Sequence, residues 1–122
     1  MGRLIDVQLT GTTNAQGAAT INGPAVFGRL YAVRWIDGTL ADGNDAVLSY
    51  TDADGSSVTL LTLTDADIDK MYYPREKVQG NTGADLDTAY DLALVAGPLK
   101  LAITGGGSGG IGGCVVYVLE ER

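Results

Sequence analysis

Phe27-Gly28-Arg29-Leu30-Tyr31-Ala32-Val33-Arg34-Trp35-Ile36, closed by Asp37-Gly38, is the longest strand-like run in the chain. Read with alternating faces, Phe27, Tyr31, Val33 and Trp35 share one side, interrupted by Arg29. Leu30, Ala32 and Ile36 share the other side with Arg34. A strand apolar on both faces belongs in the middle of a sheet. Trp35 is the single tryptophan and the largest apolar group available for a core. The other strands are therefore expected to be arranged around this one.

Toward the N-terminus, Leu4 to Thr10 alternates, with Ile5, Val7 and Leu9 against Asp6, Gln8 and Thr10. That is the pattern of a half-buried strand. Ala18 to Ile21 reads as a short strand before an Asn22-Gly23-Pro24 turn. Toward the C-terminus, two Asp-Gly steps mark Asp37 to Asp45 as a loop. Ala46 to Thr51 and Val58 to Thr64 read as a hairpin, turned at Asp52-Ala53-Asp54-Gly55-Ser56. Thr64-Asp65-Ala66-Asp67 has the order of a helix N-cap, with room for only a brief helix before Pro74. Asn81 to Asp91 reads as a polar loop. Strands are expected over Tyr90 to Val95 and Leu99 to Thr104, separated by a Gly97-Pro98 turn. Gly105 to Gly113 holds seven glycines in nine residues and is expected to be a mobile tip before a last strand, Cys114 to Leu119. About eight strands with turn signals between them predict an all-β fold. The expected architecture is one antiparallel β-sandwich, jelly-roll-like, over residues 1–122.

Composition narrows the function. The chain is 45% hydrophobic and carries net charge −7, with eight scattered Lys and Arg. That distribution has no electrostatic footprint for nucleic acid or an anionic membrane. Twelve of the fifteen acids are Asp, a turn and cap residue, which again points to strands and loops. The start, Met1 to Asp6, lacks the apolar stretch of a signal peptide, and synthesis in a cytoplasm is the expectation. Cys114 is the only cysteine, so no disulfide within the chain is available.

The absence of histidine removes Ser-His-Asp and Cys-His sites and most zinc sites. Cys114 then reads as a buried small hydrophobe, with no base to activate it. Asp52-x-Asp54-Gly55 resembles the start of a calcium loop but runs straight into Ser56-Ser57-Val58, and a plain hairpin turn is preferred. Asp65, Asp67 and Asp69 offer cation ligands, yet capping accounts for the first two. Twelve aspartates supply many carboxylate pairs, so an Asp-dependent hydrolase gains little specific support. No catalytic, cofactor-binding or metal-binding residue is assigned. The best binding candidate is Met71-Tyr72-Tyr73-Pro74-Arg75, with Tyr72, Tyr73 and Arg75 as partner-interface anchors. The competing reading places one tyrosine in the core and leaves the other as a lone exposed aromatic.

Several stretches carry a resemblance to a known family. They are Arg29 to Gly38, Leu40 to Ser49, Leu60 to Thr64, Tyr72-Tyr73-Pro74-Arg75, and Gly97-Pro98-Leu99-Lys100-Leu101 ahead of the glycine-rich tip and a Val-Val-Tyr-Val strand. Together they resemble small head proteins of tailed bacteriophages that are similar to capsid cement (decoration) proteins. The resemblance implies a jelly-roll-like domain, commonly a homotrimer, bound to the major capsid protein on the outer surface of the virion head. It implies no cofactor, nucleic acid or membrane partner. It transfers no individual contact residue. The alternative is a receptor- or carbohydrate-binding module of a phage fibre or spike, supported by the Tyr72-Tyr73 pair.

Overall fold

The computed structural model describes residues 2–79, 83 and 85–120. These residues form β1 (Arg3–Thr12), β2 (Ala19–Ile36), β3 (Asp45–Thr51), β4 (Ser57–Leu63), β5 (Lys70–Tyr72), β6 (Arg75–Gln79), β7 (Asp85–Thr104) and β8 (Ile111–Glu120). The opening run lies in β2, and β2 is the hub. Its first half pairs with β7, from Ala19 opposite Ile103 to Leu30 opposite Ala93. Its second half pairs with β8, from Gly28 opposite Glu120 to Ile36 opposite Gly113, and takes β5 on its other edge at Val33, Arg34 and Trp35.

One bent strand thus belongs to two layers. The strand order runs β1-β8-β2-β7-β3-β4, with β5 added to β2 and β6 to β7. Folded at β2, it gives the layers β1-β8-β2-β5 and β2-β7-β3-β4, each interleaving early and late strands in the order of a jelly roll. Val33, Trp35 and Cys114 of the first layer meet Ala46, Leu48, Leu63 and Leu101 of the second. Trp35 is 0% exposed, and its indole N–H donates to the Ala66 carbonyl at 2.9 Å. A buried indole needs such a partner, and this bond ties the β4–β5 loop to the core.

The single face expected for Phe27, Tyr31, Val33 and Trp35 is not what forms. A bulge between Leu30 and Ala32 inserts Tyr31 into the register with β8. One extra residue exchanges the faces of everything beyond it. Val33 and Trp35 therefore join Leu30 in the core, while Phe27 and Tyr31 stand in solvent. The Asn22-Gly23-Pro24 turn is also replaced by a bulge, between Asn22 and Ala25, inside an unbroken strand. Gly97 and Pro98 lie within β7 opposite Val26 and Ala25, where the neighbouring irregularity tolerates a residue without an N–H.

Thr64 starts no helix among the described residues. Asp65 adopts φ 50°, and the Asp67 carboxylate accepts the Gly43 N–H at 2.7 Å, joining two loops. Of the polar loop expected over Asn81 to Asp91, residues 81, 82 and 84 lie outside the described residues, and from Asp85 onward the chain is β7. The glycine tip expected to move is tied down. The Gly106 N–H donates to the Gly17 carbonyl and the Ala41 N–H to the Gly106 carbonyl, both at 2.9 Å. The Gly110 N–H donates to the buried Thr13 hydroxyl at 2.8 Å. Bare backbone lets three loops bond to one another directly, and each such bond satisfies groups that the packing has taken from water.

Candidate functional site

The short β5 splits the expected anchors. Tyr72 sits opposite Val33, half-buried against the core, with the Lys70 ammonium 5.1 Å from its ring centroid. Tyr73 follows it onto the outer surface and is 57% exposed. There it is not alone. Its ring meets Tyr31, 45% exposed, edge to face at 6.4 Å and 90°. The Arg75 guanidinium stands 6.0 Å from the Tyr31 centroid and donates to the Tyr31 carbonyl at 3.1 Å. Of the three predicted residues, Tyr73 and Arg75 come together and Tyr72 turns inward.

Tyr31, Tyr73, Met71, Leu4 and Tyr117 line a groove of about 290 Å³ over a floor made by Ala32. Register explains the set, because Tyr117 lies opposite Ala32 and Met71 opposite Arg34 on the outward face of the first layer. The alternation reading missed Tyr31 as a surface residue because the bulge reverses it. Tyr117 carried no local signal, since its strand reads as apolar on both faces. The groove holds tyrosine and methionine, which interfaces favour, with Arg75 beside it over Tyr31 and apolar area left in water.

The acidic turns have local work. The Asp52 carboxylate accepts the N–H groups of Asp54 and Ser56, each at 3.0 Å, as an Asx turn does. Asp69 accepts from the Asp37 N–H at 2.8 Å, and Asp45 from the Asp65 N–H at 3.0 Å. Among the described residues no three of His, Cys, Asp and Glu gather as a metal site.

Cys114 is buried in the core between the layers, as expected, and burial pushes its thiol up from 9.0 to about 12. The unfolded thiol releases its proton near 9.0 while the folded one keeps it to about 12. Between those values the unfolded state binds fewer protons, so stability is expected to fall as pH rises, by up to about 1.4 kcal/mol per pH unit. The contribution is fully present below the unfolded value. Urea titrations of the parent chain and of Cys114→Ala should separate above pH 9. Identical pH slopes for the two chains would remove this account. Native Cys114 should also resist thiol reagents that label the unfolded chain at once.

No family model matches the chain, and no curated protein does. Solved structures do show likenesses. The VP2 subviral particle of infectious bursal disease virus is 15% identical with TM-score 0.39, covering 98% of this chain and 33% of the other. A family 32 glycoside hydrolase from Bifidobacterium adolescentis is 20% identical with TM-score 0.33, covering 96% and 22%. The Gx strain of infectious bursal disease virus gives 12% identity and TM-score 0.26, covering 98% and 41%. This chain thus spans about a third of the first of these proteins. The three come from a virus particle, an enzyme and a virus.

Proposed function

We propose that this chain is a non-enzymatic structural protein of a virion, a cement (decoration) protein that binds the major capsid protein on the outside of a bacteriophage head and stabilises the shell. The observation that carries it is the exposed groove of Tyr31, Met71, Tyr73 and Tyr117 with Arg75 beside it. It is an interface-like surface on a rigid β scaffold, and the Tyr72-Tyr73-Pro74-Arg75 stretch of the family resemblance supplies part of it. A protein of this kind stabilises a shell only by binding the mature lattice more tightly than the disrupted one. Many identical weak contacts then sum over the surface. A homotrimer would match a threefold lattice site. The chain would be made in the host cytoplasm and end on the virion surface.

The test is mass spectrometry of gradient-purified virions, followed by rebinding of the purified chain to heads stripped of it. Presence in virions and saturable rebinding, weakened by Tyr73→Ser, are expected. Absence from virions together with no rebinding would overturn the proposal. The tyrosine-lined groove also favours a carbohydrate-binding reading, since a tyrosine presents an apolar ring with a hydroxyl tip. Glycan-array binding by a chain that does not rebind heads would select that alternative.

A further inference from the structure

The sheet ends at β4, and among the described residues no strand lies along its outer edge. An open edge offers a row of backbone N–H and C=O groups to any extended chain, so folds guard such edges with charge, proline or shortness. The other edges here carry those guards. β1 holds Arg3 and Asp6, β5 is three residues long and begins at Lys70, and β6 follows Pro74 with Arg75, Glu76 and Lys77. β4 has none of them. Its seven residues, Ser57-Val58-Thr59-Leu60-Leu61-Thr62-Leu63, include no charge and no proline, and a bulge at Leu60 is the one irregularity in its pairing with β3. Val58, Leu60 and Leu61 are half-buried against the core, whereas Ser57, Thr59 and Thr62 are exposed. The apolar side of this edge is thus only partly covered.

Charge restricts what can lie there. Residues 35–69 hold eight aspartates and no Lys or Arg. Asp52 and Asp54 stand in the turn at one end of β4. Asp45 and Asp65, linked by the Asp65 N–H at 3.0 Å, stand at the other. Of the cations on neighbouring strands, Lys100 lies two strands in, opposite Ser49, and Lys70 is held over Tyr72 on β5. A second β4 laid alongside, in either direction, would bring aspartates against aspartates at both ends. The edge therefore repels its own copy and suits a strand with basic ends.

We propose that β4 takes up an extended segment of a partner protein as an added strand. The segment matches the seven residues of β4, alternates apolar and polar side chains, and carries Lys or Arg at both ends. Main-chain hydrogen bonds supply the binding in this mode. Apolar side chains beside Val58 and Leu61, and basic ends beside the aspartates, supply the choice of partner. The edge is separate from the tyrosine groove and takes such a segment whether or not the chain docks on a capsid.

Fluorescence anisotropy on the full chain tests it with a labelled synthetic peptide, alternating valine and threonine with a lysine at each end. Saturable binding is expected, weakened on the order of tenfold when aspartates replace the two lysines. Peptides N-methylated at one position each separate strand pairing from loose charge attraction. Methylation of an N–H that faces β4 should abolish binding and methylation of its neighbour should not, so the losses fall at alternate positions. Hydrogen exchange should place the new protection on Ser57 to Leu63. No binding, equal binding by lysine- and aspartate-ended peptides, equal effects of every methyl group, or protection away from β4 would each overturn the proposal.

Discussion

Trp35→Ala is expected to lower the free energy of unfolding by about 3–5 kcal/mol, the range for removing a buried large aromatic. Trp35 lies between the layers against Val33, Leu48, Leu63 and Leu101, with none of its surface in water. The cavity left behind has walls on both layers of the folded sheet, which cannot collapse together without shifting their registers. The substitution also strands the Ala66 carbonyl, which accepts the indole N–H. Domains of this size are stable by only about 5–15 kcal/mol, so the variant should populate unfolded chain under ordinary conditions. Trp35→Phe keeps most of the ring and loses the hydrogen bond, with an expected cost nearer 1–2 kcal/mol, roughly that of leaving one buried acceptor unpaired. Urea midpoints for the three chains, at unchanged m-value, measure both differences. A loss below ~1 kcal/mol for the alanine variant would mean that Trp35 does not hold the layers together.

Gly97→Ala should produce the second large effect, on the order of 3 kcal/mol, the upper end for overpacking. A Cβ at Gly97 would stand 2.0 Å from the Thr51 carbonyl oxygen. Backbone cannot rotate away as a flexible side chain can. β7 is also held on both sides here, by Val26 opposite Gly97 and by Tyr50 opposite Leu99. Gly55→Ala is the matching control. Gly55 has φ 83° at the β3–β4 turn, with nothing within 4 Å of an added Cβ. Only the left-handed backbone penalty applies there, about 1 kcal/mol. Gly97 also has positive φ, 155°, so both variants carry a backbone penalty, and the excess loss at Gly97 in thermal melts reports the close approach. Equal losses would show that the close approach of β7 to Thr51 contributes nothing.

Local chemistry was legible in the chain where a residue and its partner lie close in sequence. Asp52 caps its own hairpin within four residues, and the turn reads directly. The alternation of Leu4 to Thr10 depends on one buried face and identifies β1. Cys114 lies in a continuous apolar run, which is enough to predict its burial. The carboxylates of Asp67 and Asp69 show the opposite case. An acid after Thr64 looks like a helix cap, but the N–H groups they accept belong to Gly43 and Asp37, a loop away. Competing local and distant acceptor geometries leave no trace in the order of residues. β5 is three residues long, too short to show any period, and its existence depends on the edge that β2 offers it.

By itself the sequence determined that this chain is all-β, with about eight strands and a long central one that carries the core tryptophan. It broke the equally long β7 into two at Gly97-Pro98. Hydrophobic content, alternation and turn residues are properties of neighbours along the chain, and they decide which segments are strands. Only the tertiary structure decided which side of the central strand faces the core. The bulge between Leu30 and Ala32 is set by pairing with β8, and no local preference records it. That one inserted residue sends Trp35 inward and Tyr31 outward. It thereby creates a groove across β1, β8, β2 and β5, strands distant in sequence that pairing brings side by side.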